Sequence, residues 1–135
     1  MPGSTIVASM APPKPGALFF CRKGDPAVYD RTLAAGDFVT DGNWHDLDLT
    51  NIVPVFAHAV LYDIVVQDNV ANSIVVIKPK GNINLILSGA ILSRVAGQLN
   101  HENQLVCVGL GGLLEYWATN TIWDVIQLVV LGWFV

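Results

Sequence analysis

The chain has 135 residues, of which 53% are apolar and only 13% charged, with a formal net charge of −4. That length limits it to one domain with at most an arm or tail, and the apolar content excludes global disorder. The negative charge argues against a grip on nucleic acid through counterion release. Asp63, Gln67, Ser88, Arg94, Asp124 and Gln127 interrupt the long apolar stretches, so none reaches the ~18 uninterrupted residues of a spanning helix. Neither nucleic acid nor a membrane is an expected partner.

Globular chains carry roughly 25% charged residues, about twice what is found here. A domain this small buries only about two thirds of its unfolded surface, so the surplus apolar side chains must meet something outside the core. A subunit or a larger assembly is the usual answer.

From the N-terminus, Met1–Gly3 opens no basic and apolar leader pattern. Residues 1–20 read as an extended proline-rich arm, and residues 21–135 as the folded domain. Pro2, Pro12, Pro13 and Pro15 oppose helix and favour extended backbone. Ile6, Val7, Met10, Pro12, Pro13, Pro15, Phe19 and Phe20 are the candidate contact residues of that arm. Cys21 and Cys107 lack the companion ligands of a zinc site. A disulfide between them stays open, with two buried free thiols the expected state.

Residues 22–41 are polar and turn-rich, with Gly24-Asp25-Pro26 and Gly36-Asp37 as breaks. Beyond Gly42, β-branched and apolar runs alternate with Asn, Asp, Gly and Pro clusters, which predicts strands. The expected strands are Trp44–Leu49, Ala57–Gln67, Ser73–Lys78, Asn82–Ser93, Leu105–Val108, Leu113–Ala118 and Thr121–Val135. Gly97 through Asn103 reads as a separator. Such spacing predicts an all-β chain, an antiparallel β-sandwich or barrel.

The last strand is apolar on both faces. Ile122, Asp124, Ile126, Leu128, Val130, Gly132 and Phe134 share one face by simple alternation. Trp123, Val125, Gln127, Val129, Leu131, Trp133 and Val135 share the other. One face fills the sandwich. The other is covered within the chain or by a second subunit, and Trp123, Val129, Leu131, Trp133 and Phe134 are the candidate oligomer contacts.

Catalytic patterns are scarce. His45, Asp46 and Asp48 lie close in sequence, but neighbouring strand residues point to opposite faces, so a solvated strand face is expected rather than a cation site. No Ser stands in a nucleophile elbow. Gly109-Leu110-Gly111-Gly112 lacks a P-loop lysine and reads as a turn. An enzyme is not expected, nor is a cofactor or metal. Trp44 with Asp46 and Asp48, and Trp117 near Asn120, keep a glycan-binding surface open, because sugars stack on exposed rings beside polar groups.

Several phrases carry a resemblance. They are Arg22-Lys23-Gly24-Asp25-Pro26, Gly36-Asp37-Phe38, and the run Asp41-Gly42-Asn43-Trp44-His45-Asp46-Leu47-Asp48-Leu49-Thr50-Asn51-Ile52-Val53-Pro54. Ala59-Val60-Leu61, Val65-Val66-Gln67-Asp68, Leu114-Glu115-Tyr116 and the closing Gly132-Trp133 extend it. Over residues 22–135 the chain resembles a family of small all-β virion proteins of tailed phages. The resemblance implies a jelly-roll-like sandwich, a homotrimer, and no catalytic residues to transfer. The expected function is a capsid decoration or cement protein on the virion surface. It would be made in the host cytoplasm and partnered with itself and with the major capsid protein or another virion protein. A tail-fibre or receptor-binding module for host glycans is the alternative. Apolar Ile86-Leu87 and Val129-Val130-Leu131 depart from the polar outer strands a receptor-binding member would show.

Overall fold

The computed structural model describes residues 18–22, 24–86 and 88–135. Ile6, Val7, Met10, Pro12, Pro13 and Pro15 therefore lie outside the described residues.

Nine strands are found among the described residues: β1 (Phe19–Cys21), β2 (Arg31–Thr32), β3 (His45–Leu47), β4 (Ala59–Gln67), β5 (Ile74–Pro79), β6 (Gly89–Leu92), β7 (Asn100–Cys107), β8 (Leu114–Ala118) and β9 (Val125–Phe134). One sheet has the order β1-β9-β4-β7, with β2 also paired to β9; the second has the order β3-β8-β5-β6. Every pairing is antiparallel. The two sheets pack face to face as a β-sandwich.

The pairings are nested: β5 with β6, β4 with β7, β3 with β8, and β1 with β9. One long antiparallel ribbon, closed at the β5–β6 hairpin, is thus wrapped so that successive strand pairs fall in alternate sheets. That connectivity is a jelly roll. No helix among the described residues is long and apolar enough to cross a membrane.

Alternation places the core. In β4, Val60, Tyr62, Ile64 and Val66 point inward and are almost fully buried. They meet Leu47, Leu114, Tyr116, Ile77, Val75 and Ala118 of the other sheet within one apolar cluster. Tyr62 brings a hydroxyl into that layer, and it donates to Gln104 Oε1 at 2.6 Å. A buried hydroxyl without a partner would cost about 1–3 kcal/mol.

Strand β9 departs from strict alternation. Ile126, Leu128 and Val130 face Val66, Ile64 and Tyr62 of β4, but the register then slips, so that Gly132 faces Leu61 and Trp133 faces Val60. Leu131 is the extra residue of a β-bulge. One added residue exchanges the faces of everything beyond it. Trp133 consequently packs against the core, and Phe134 turns outward to meet Phe19 at 4.7 Å between ring centroids.

Several boundaries differ from the sequence reading. Phe19 and Phe20, assigned to the arm, belong to β1 and pair with Phe134 and Trp133. Among its described residues, the expected strand Asn82–Ser93 contains only Gly89–Leu92, because β5 pairs with β6 from Ile77–Gly89 onward and leaves 82–86 and 88 without a ladder partner. Asn100–Asn103, read as part of a separator, are the first half of β7. Arg31–Thr32 forms a short strand inside the turn-rich stretch, where Arg22 pairs with Asp30.

Candidate functional site

The outer face of the larger sheet is organised in rows set by the ladder register. Cys107, Ala59, Phe134 and Phe19 form one row across β7, β4, β9 and β1. Leu105, Leu61, Gly132 and Cys21 form the next. Neither row holds a charge. Gly132 lets β1 close onto β9, because a Cβ there would lie 2.6 Å from Phe19 Cζ and 2.6 Å from the Phe20 carbonyl oxygen.

Polarity rises toward the far end of that face. Asn103, Asp63 and Val129 make the third row, and His101, Val65, Gln127 and Thr32 the fourth. His101 Nε2 lies 2.5 Å from Asp63 Oδ1. Val129 borders a cleft lined by Pro26, Ala27, Val28 and Tyr29.

The candidate oligomer residues are therefore split. Val129 and Phe134 stand on the outer face, and Leu131 is the bulge. Trp133 belongs to the core side, because of that bulge. Trp123 is also a core residue; its indole N–H donates to the Asn120 carbonyl at 2.9 Å and fixes the ring inward. Leu61, Leu105 and Ala59 are outer-face residues that the sequence reading did not single out, and Phe19, named there as a contact of the arm, joins them. The all-apolar stretch of β4 was the signal for Leu61 and Ala59.

Both cysteines are free and exposed, not buried. Cys21 and Cys107 sit on opposite edge strands of one sheet with β9 and β4 between them. Three strand spacings amount to about 14 Å, whereas a disulfide needs Cα atoms within about 7 Å. A bond between them within one chain is excluded.

The second sheet presents a different outer surface. Trp44, which precedes β3, stacks on Trp117 of β8 with ring centroids 6.1 Å apart and an interplanar angle of 29°. Lys78 Nζ lies 4.6 Å from the Trp44 ring centroid and 3.1 Å from Glu115 Oε1. Trp44 remains 37% exposed, and the Trp117 indole N–H donates to the Gly42 carbonyl. Lys80 Nζ contacts both Asp46 carboxylate oxygens at 2.8 Å, and that hydrogen bond holds the Lys80 ammonium above its ordinary pKa.

The structure thus joins Trp44, Trp117 and Asp46 on one surface and adds Lys78 and Glu115, two residues sequence spacing did not single out. Asp48 is elsewhere, in a cleft with Arg31, Asp37, Thr50 and Asn51. The Thr50 hydroxyl and backbone N–H hold its carboxyl below the usual range. Asn120 is also apart, donating to the buried Asp68 carboxylate. His45 turns to Asp41 at 2.7 Å, and that bond, with one from the Asn43 N–H, lowers the Asp41 pKa. The three side chains His45, Asp46 and Asp48 therefore have separate partners. No group of three or more His, Cys, Asp or Glu among the described residues is placed to hold a metal ion.

No protein-family model matches the chain, and no curated protein matches its sequence.

Proposed function

We propose that the chain is a non-enzymatic structural protein of a phage virion, a decoration or cement protein that sits on the capsid surface as a homotrimer and stabilises it. The observation that carries this reading is the charge-free double row of Cys107, Ala59, Phe134, Phe19, Leu105, Leu61 and Cys21 on an outer sheet face. An outer face normally alternates to polar residues, and a contiguous apolar patch marks a protein contact. The resemblance over residues 22–135 supplies the virion context, since jelly rolls serve many functions and fold alone selects none.

In this reading the outer face joins copies, and the arm before β1 meets the major capsid protein or another virion protein. Apolar burial contributes about 25 cal/mol per Å², and a symmetric oligomer multiplies modest contacts through effective concentration. The test is to mix purified protein with undecorated particles and measure occupancy and heat resistance. Saturable binding in multiples of three, with raised particle stability, supports the reading. No occupancy at micromolar protein overturns it.

The Trp44–Trp117 stack favours one second reading, a tail-fibre or receptor-binding module for host glycans. Stacked rings rimmed by Lys78, Glu115 and the Lys80–Asp46 pair provide the aromatic and polar groups that saccharides use. Saccharide binding that is lost in both Trp44→Ala and Trp117→Ala would support it over decoration.

A further inference from the structure

One end of the sandwich is unusually apolar. β1, β4 and β8 begin there, and β5, β7 and β9 finish there. The connections at that end expose Val55 (64%), Phe56 (69%) and Leu110 (68%).

These side chains belong to one surface. Gly112 lies against Val55, since a Cβ on Gly112 would sit 3.0 Å from Val55 Cα. The Leu110 side chain covers Gly81, where a Cβ would meet Leu110 Cδ1 at 2.7 Å. The Leu110 N–H donates to the Lys80 carbonyl at 3.1 Å. His58, two residues from Phe56, donates its N–H to the Phe134 carbonyl at 2.8 Å. Across residues 54–58, 81–83 and 109–113, His58 is the only titratable side chain.

The chain before β1 enters at this same end. The Val135 N–H donates to the Leu18 carbonyl at 2.9 Å, which places Leu18 beside Phe134 and hence beside the 54–58 connection. Residues 1–17 contain Ile6, Val7, Ala8, Met10 and Ala11, with Lys14 as their only charged side chain. The seven residues 11–17 span up to about 24 Å when extended, more than the ~10 Å that separates two packed sheets.

We propose that residues 1–17 dock on the apolar end of their own chain, with the Ile6–Met10 stretch over Val55, Phe56 and Leu110. Three features meet here: an apolar surface bordered by the paired Lys80 and Asp46 and by Glu115, an almost uncharged apolar segment, and a tether that starts at the rim of that surface. The tether supplies a high effective concentration. This concerns the free chain and does not depend on a capsid partner; on a particle, the same segment would exchange this surface for the shell.

The test is disulfide trapping in the full-length chain carrying Cys21→Ser and Cys107→Ser. Ile6→Cys is combined with Phe56→Cys, and separately with Val70→Cys in the β4–β5 connection at the opposite end. Phe56 and Val70 are exposed, and circular dichroism checks that each variant folds. The expected result is an internal disulfide that forms about tenfold faster for the 6/56 pair than for the 6/70 pair, at a rate unchanged by dilution. Equal rates for the two pairs would overturn the proposal. Disulfides formed only between chains would overturn it too, by placing the segment on another copy. Neither outcome bears on particle occupancy, so this test and that of the virion reading fail separately.

Discussion

Trp133 and Val60 face each other across β9 and β4, one register step after Gly132 faces Leu61. The bulge at Leu131 makes that pairing possible. It places an indole against the core and sends Phe134 to the opposite side, onto Phe19. The bulge therefore builds the apolar outer face as well as closing the core.

Gly132 is the weak point of that arrangement. Its missing side chain leaves room for the Phe19 ring and the Phe20 carbonyl, each 2.6 Å from where a Cβ would stand. Gly132→Ala should displace β1 and lower stability by about 1–3 kcal/mol, as overpacking does. Urea unfolding measures this, and an unchanged midpoint would contradict the tight β1–β9 packing.

The sandwich itself was legible in the sequence, because strand signals and turn residues alternate cleanly from Gly42 onward. What alternation could not show was Leu131: a bulge is one uncounted residue, and a strand apolar on both faces gives no change of phase to reveal it. Trp133 accordingly lies on the core side rather than on the outer face, whereas Trp123 precedes β9 and is held inward by the bond from its indole N–H to the Asn120 carbonyl. Residues 82–86 fail as strand for another reason. Ile83 and Ile86 have the right propensity, but a strand needs a partner, and the hairpin ladder begins only at Gly89. Asn100–Asn103 show the converse, since polar residues of low β propensity enter β7 when β4 offers a ladder. The Trp44–Trp117 stack was half legible; both rings were candidates, but the β3–β8 register that joins them is a long-range fact.

Tyr62 gives a pH prediction. Burial, reinforced by Glu102, pushes its pKa far above the ordinary tyrosine value. Above about pH 10 the unfolded chain releases a proton that the folded chain keeps, so stability falls as pH rises, by up to about 1.4 kcal/mol per pH unit. Tyr62→Phe should flatten that fall while costing about 1–2 kcal/mol at neutral pH through the lost bond to Gln104. Burial raises the Tyr116 pKa too, so some dependence persists. Parallel stability curves for the two proteins between pH 9 and 11 would contradict the assignment.

Cys21 and Cys107 give a prediction about thiols. Both are exposed on opposite edge strands, so the monomeric chain should titrate two free thiols after air exposure and form no internal disulfide. Finding an oxidised monomer with no free thiol would contradict the strand order of the larger sheet.

The charge-free outer rows, in which Leu105 is exposed and Leu61, Phe19 and Phe134 are half-buried, make self-association the central claim. Light scattering across a dilution series, on wild type and on Leu61→Glu with its fold checked by circular dichroism, tests it most directly. The expected result is a trimeric mass that resists dilution in the wild type and drops in Leu61→Glu. A wild-type chain that stays monomeric at high concentration would contradict it, and would mean that Leu61, Leu105 and Phe134 face no second copy.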